Sequence, residues 1–123
     1  VLRLNAPAFS QPMNSRAKGA RGERQWRDVL REEGFTARRG QQFAGGADSP
    51  DVICEELDGL HFEVKCVQAL NLEGAIEQAT RDAGSAKDWV VAHKKDRKPW
   101  RVTISTDLFF RLLRDGMDGL KKP

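Results

Sequence analysis

Apolar and polar positions along the chain alternate with two different periods. From about Lys18 to Glu33, Trp26, Val29 and Leu30 recur at helical spacing among charged neighbours. That is the pattern of an amphipathic helix with one buried stripe. Gly34 follows where a C-cap glycine belongs. Phe35 to Arg39 reads as a short strand. Gly40 to Pro50, with Gly45, Gly46, Asp48 and Ser49, reads as a loop. Two strands follow, Asp51 to Leu57 and Leu60 to Val67, joined by Asp58-Gly59, a strong hairpin signal. Asn71 is placed to cap a helix from Leu72 to about Ala83, closed by Gly84. Trp89 to His93 has the composition of a buried strand, Lys94 to Pro99 is a basic turn, and Trp100 to Ser105 is another strand. Thr106 caps a last short helix, Asp107 to Arg114. The order α-β-β-β-α-β-β-α predicts one α/β domain built on a mixed sheet. Residues 1–17, with Pro7, Pro12 and several small polar side chains, read as a flexible arm. Residues 115–123 read as a frayed tail, which leaves 18–114 as the domain.

The 123 residues are 39% hydrophobic and 32% charged. This is enough for a core and about the size of a single domain. No apolar run approaches the ~20 residues that span a bilayer, so a membrane protein is not expected. Val1 to Ser15 lacks the apolar centre of a signal peptide. Cys54 and Cys66 are too few for a disulfide framework and point to a reducing compartment. Both fall on apolar strand faces and read as core. No Cys/His pair has zinc-ligand spacing, so zinc is not expected.

The net charge of +3 hides a segregation. Residues 1–45 carry nine basic and four acidic side chains, residues 46–92 three and ten, and residues 93–123 nine and four. An acidic centre between basic flanks suits a metal-dependent enzyme acting on a polyanion. Ordinary solvated charge would give the same tally.

The strand Leu60–Val67 sharpens the choice. Phe62, Val64 and Cys66 form an apolar face, and His61, Glu63, Lys65 and Val67 share the other. Glu63 and Lys65 therefore project together, which also describes a simple surface ion pair. Asp51 opens the preceding strand. In an ideal two-residue hairpin Leu57 pairs with Leu60 and Glu55 with Phe62, which carries Asp51 past the end of its partner. A bulge or bend is needed to bring its carboxylate beside Glu63. Two neighbouring carboxylates suit Mg²⁺, which can polarise a phosphate oxygen and acidify a bound water. Lys65 can then stabilise developing negative charge. Glu23 lies three residues before Trp26 and seven before Leu30, on the apolar stripe of the first helix. An acid there needs a partner, and a metal site at the end of the sheet would supply one. A favourable helix dipole explains its position equally well.

Pro50-Asp51 followed by Glu63-Val64-Lys65 resembles the PD-(D/E)XK nuclease signature. Taken with Lys18-Gly19, Gly22-Glu23-Arg24, Leu30 and Gly34-Phe35, the chain resembles archaeal-type Holliday-junction resolvases and their phage-encoded relatives over about residues 18–113. The stretch from Arg38 to Asp51 is similar to the phage-type members. The resemblance implies a restriction-endonuclease-like αβββαβ core, a central mixed β-sheet flanked by helices. It implies Glu23, Asp51, Glu63 and Lys65 as the catalytic set, with Asp51, Glu63 and the Val64 carbonyl as metal ligands. It further implies Mg²⁺, with Mn²⁺ able to substitute, and water attack on a DNA phosphorus leaving 5′-phosphate and 3′-hydroxyl ends. Gln78 is similar to a glutamine of related phage and VRR-type nucleases. A bacterial or phage-encoded intracellular protein is the implied setting.

Arg38, Arg39, Gln41 and Gln42 flank the expected site and are candidates for DNA-backbone contact. So are Lys18 and Arg21, together with Arg16 and Arg24, and the cluster Lys94, Lys95, Arg97 and Lys98. Gln78 joins them by resemblance. His61 reads as a surface neighbour of the site and His93 as structural. Trp26, Trp89 and Trp100 read as core or interface anchors. Phe109, Phe110, Leu112 and Leu113 crowd one short helix, which suits burial in a dimer. Two matched cuts in a four-way junction would use two copies, making a homodimer the economical arrangement. The expected function is a metal-dependent endonuclease on branched DNA. The alternatives are a same-fold nuclease acting on flaps, nicked or linear duplex, and a non-catalytic DNA-binding module.

Overall fold

The helical stripe predicted from Trp26 and Leu30 forms helix α1, Ser15–Glu32, and both side chains are buried. This structure is a computed structural model that describes residues 15–40 and 51–121, with side chains from 19 onward. The expectations for residues 1–14, most of the loop 40–50, and 122–123 lie outside the described residues. Gly34, at φ +95, ends α1, and the Phe35 N–H donates to the Leu30 carbonyl at 3.0 Å. Only a residue without a Cβ takes that φ freely.

Five strands follow in one sheet of order β1-β2-β3-β4-β5. They are β1 Ala37–Arg39, β2 Val52–Cys54, β3 Leu60–Cys66, β4 Asp88–Lys94 and β5 Arg101–Thr103. Neighbours are antiparallel except β3 and β4, which run parallel from Leu60↔Asp88 to Cys66↔Lys94. A parallel pair needs a crossover, and helix α2, Leu72–Ala83, provides it. Asn71 caps α2 as expected, its side chain accepting from the Gly74 N–H at 3.0 Å. The mixed α/β architecture read from the sequence is therefore the one observed.

The two helices cover opposite faces of the sheet. On the α1 face, Trp26 and Leu30 meet Phe62, Val64, Val52 and Val90 in the main core. Trp26 meets Phe62 edge-on at 5.7 Å and Trp100 at 5.1 Å, as the aromatic anchors suggested. Burying an aromatic of this size contributes about 2–3 kcal/mol. Gly22 lets α1 approach this closely, since a Cβ there would lie 2.9 Å from the Cys66 Sγ. On the α2 face, Ala75 and Ala79 pack on Val91 in a smaller cluster with Ile76 and Trp89.

Three local expectations change. The first long hairpin strand is short, and residues Glu55–Leu57 turn into a 3-10 helix. The register then pairs Val52 with Phe62 rather than Glu55 with Phe62. The last helix, α3, spans Thr106–Asp115, and Ser105 caps it in place of Thr106 by accepting from the Leu108 N–H at 3.0 Å. The segment expected to fray instead forms a 3-10 turn over Gly116–Gly119, and Leu120 packs against the main core. Arg111 holds it by donating to the Gly119 carbonyl and pairing with buried Asp88.

Candidate active site on the central strand

β3 is buried on both faces along its middle, with His61, Phe62, Glu63 and Val64 all buried. The apolar residues face α1. His61, Glu63 and Lys65 face α2, because strand side chains alternate and Lys65 reaches Gln78 on that helix. A buried carboxylate needs charge-compensating or hydrogen-bonding neighbours. Glu63 has Lys65 Nζ at 3.4 Å and His61 Nε2 at 3.7 Å. Lys65 Nζ also donates to Gln78 Oε1 at 3.3 Å. Gln78 thus joins the site through the lysine, holding it between two acceptors.

The 3-10 turn solves the hairpin problem raised by the sequence. It absorbs three residues, so that Asp51, one step before the Val52–Phe62 pair, comes alongside Glu63. Asp51 Oδ2 accepts from the Val64 N–H at 2.8 Å. Burial, then the Glu63 charge, pushes the Asp51 carboxyl up to about 7, against the opposing pull of that hydrogen bond. Glu23 adds to the repulsion. Glu23 is itself raised, first by burial, while Arg39 works in the other direction. Arg39 grips Glu23 Oε1 through Nε at 3.1 Å and Nη2 at 3.0 Å. The partner that the Glu23 position demanded is thus a guanidinium within the chain. Crowded acids whose ionisation is disfavoured are a receptive setting for a divalent cation, which restores the balance of charge. Asp51 and Glu63 fit that role, with hard oxygen donors.

Among the described residues, the compact ligand set joins Glu63 to His61 and Asp82, whose ligand atoms lie within 4.8 Å of one another. Two corrections follow. His61 is 3% exposed, not a surface neighbour, because α2 covers its side of the sheet. Asp82 was missed, although Gln78 and Asp82 are four residues apart on α2 and so share a face.

The basic residues divide. Arg21 and Lys94 and Lys95 line one small groove of about 70 Å³ with Gln25, which brings two distant basic segments together. Arg38 is exposed, whereas Arg39 is engaged by Glu23. Gln41 and Gln42, and the Lys18 side chain, lie outside the described residues. A second, more open groove of about 350 Å³ runs beside Lys65 and Gln78 past Asn71 and Leu70. No helix among the described residues is long and apolar enough to cross a membrane.

The archaeal Holliday junction resolvase family (Hjc) matches residues 14–111. Among solved structures, the chain is similar to Hjc, a Holliday junction resolvase from the archaeal hyperthermophile Archaeoglobus fulgidus. The two are 32% identical with a TM-score of 0.52, over 71% of this chain and 72% of that one. No curated protein sequence matches.

Proposed function

The chain belongs to the archaeal Holliday junction resolvase family, and on that premise we propose that its junction-resolving nuclease activity uses Asp51, Glu63, Lys65 and Glu23. The observation that carries the reading is the approach of Asp51 to Glu63, anchored on the Val64 N–H. Asp51, Glu63 and the Val64 carbonyl would hold Mg²⁺, or Mn²⁺ in its place. Bound there, such an ion supplies polarisation of the scissile phosphate and of water.

The side chains divide the remaining work. Lys65 carries three donors, two of them occupied by Glu63 and Gln78. The third, without a partner among the described residues, can meet negative charge building on a phosphate oxygen. Gln78 keeps the ammonium from swinging away. Glu23 and Arg39 hold each other, which fixes the carboxylate beside the Asp51 side of the site. Arg21, Lys94 and Lys95 supply backbone contacts to DNA from the convergent groove, and Arg38 extends them.

A second copy completes the enzyme. Phe109, Phe110, Leu113 and Met117 are exposed on α3 and the turn after it, whereas Leu108 is buried and Leu112 packs on the core. Two sites are needed for paired cuts in a four-way junction, and pairing along this apolar face would supply them. A DNA substrate sets the place of action inside the cell.

The test is cleavage of a labelled four-way junction beside a linear duplex of the same sequence, with Mg²⁺, with EDTA, and with Glu63→Ala. Paired symmetrical nicks in the junction, lost with EDTA and in the variant, support the whole reading. Equal cutting of the linear duplex, or preference for flaps or nicks, retains the nuclease site and removes the junction preference. DNA binding without any cleavage by the parent protein overturns the catalytic assignment.

A further inference from the structure

His61 is the feature that the nuclease reading leaves unused. Its side chain is 3% exposed, and Nε2 has no hydrogen-bond partner among the described residues. Leaving such a group buried and unsatisfied is costly. The nearest charged atom is Glu63 Oε1 at 3.7 Å, and the Asp82 carboxylate closes the group from α2. One imidazole nitrogen and two carboxylates therefore face a common point between β3 and α2.

We propose that His61, Glu63 and Asp82 form a binding site for a first-row transition-metal dication. It is separate from the Asp51 side of the centre and shares Glu63 with it. The donor chemistry selects the ion. Imidazole suits Zn²⁺, Cu²⁺ or Ni²⁺, whereas Mg²⁺ and Mn²⁺ favour an oxygen shell. Bonds of about 2.0–2.2 Å in a tetrahedral shell set the ligand atoms roughly 3.3–3.6 Å apart. The three ligand atoms lie within 4.8 Å of one another, and binding would draw them together. Asp82, only partly buried at the edge of the cluster, gives the ion a way in. The absence of zinc-ligand spacing in the sequence is no obstacle, because the third ligand comes from another element.

The site rests on the reading of Glu63 as a metal ligand, so its test must separate the two. The chain holds two histidines, His61 and His93. His93 Nε2 is already engaged with the Thr103 hydroxyl at 2.9 Å and serves as an internal control. Imidazole ¹⁵N resonances of the DNA-free full chain are followed as Zn²⁺ is added, then repeated with Mg²⁺. Zn²⁺ is expected to move the His61 Nε2 resonance by one equivalent through direct ligation and leave His93 in place, while Mg²⁺, held by oxygen ligands on the Asp51 side, shifts His61 far less. Calorimetric titration of Asp82→Asn and His61→Gln is expected to show Zn²⁺ affinity at this site reduced by about tenfold or more. Asp51→Asn keeps the His61 response while losing cleavage. An unmoved His61 resonance in the wild-type chain overturns the proposal, even if junctions are still cut. So does undiminished Zn²⁺ binding in both the His61→Gln and Asp82→Asn chains. Either result leaves His61 as a buried neighbour of Glu63.

Discussion

The two faces of β3 carry opposite properties on seven residues, Leu60–Cys66. Toward α1, Phe62 and Val64 pack in the main core with apolar side chains such as Trp26 and Leu30. Toward α2, His61, Glu63 and Lys65 are packed with Gln78 and Asp82. One face contributes hydrophobic stabilisation, and the other confines charges that are costly to bury. Back to back, they mean that the strand is anchored by the side that does no chemistry. A rigid support of this kind holds reacting groups to within the fractions of an ångström that positioning demands.

The comparison is broken most severely at Glu63. Glu63→Gln is expected to lower cleavage by about 1,000-fold or more while circular dichroism and the unfolding midpoint change little. A variant that unfolds would show that the charged face holds the fold as well. The mirror substitution is Phe62→Ala. It should cost about 3–5 kcal/mol in denaturant unfolding, and below its melting temperature the remaining folded protein should cut with near-parental kcat. Lost activity in fully folded protein would tie the two faces together.

Asp51 sharpens the contrast through pH. Its carboxyl titrates near 7 in the fold and near 3.8 when unfolded. A raised carboxyl pKa stabilises the fold fully only below about pH 4, and that contribution disappears as pH rises through 7. Asp51→Asn keeps an acceptor for the Val64 N–H and removes the charge. The metal-free variant should therefore be more stable than the parent at pH 8, by roughly 1–3 kcal/mol, with little gain at pH 4. Equal gains at both pH values would refute the electrostatic account. The smallest effect is expected at Gln78. Gln78→Ala removes one hydrogen bond worth about 1 kcal/mol, so cleavage should fall about fivefold with KM for the junction unchanged. A rise in KM alone would make Gln78 a DNA contact instead of a support for Lys65.

Local features of the sequence were enough to place the helices, the hairpin and the alternation of β3. Trp26 and Leu30 announce α1, Gly34 its end, Asn71 the start of α2, and Asp58-Gly59 the turn. Each depends on neighbours within one or two turns of chain, where period and backbone preference act directly. Glu63 and Lys65 were legible for the same reason, since two residues apart on a strand means one shared face. What tertiary structure decided lies between elements. The 3-10 turn at Glu55–Leu57 sets the register that brings Asp51 to Glu63. The crossover through α2 turns His61 from a surface residue into a buried one and delivers Asp82. Arg39 answers Glu23 across sixteen residues, and Arg111 reaches Asp88 to seat the C-terminal turn. Such partners are chosen by where packing leaves a charge buried, and no local period records that.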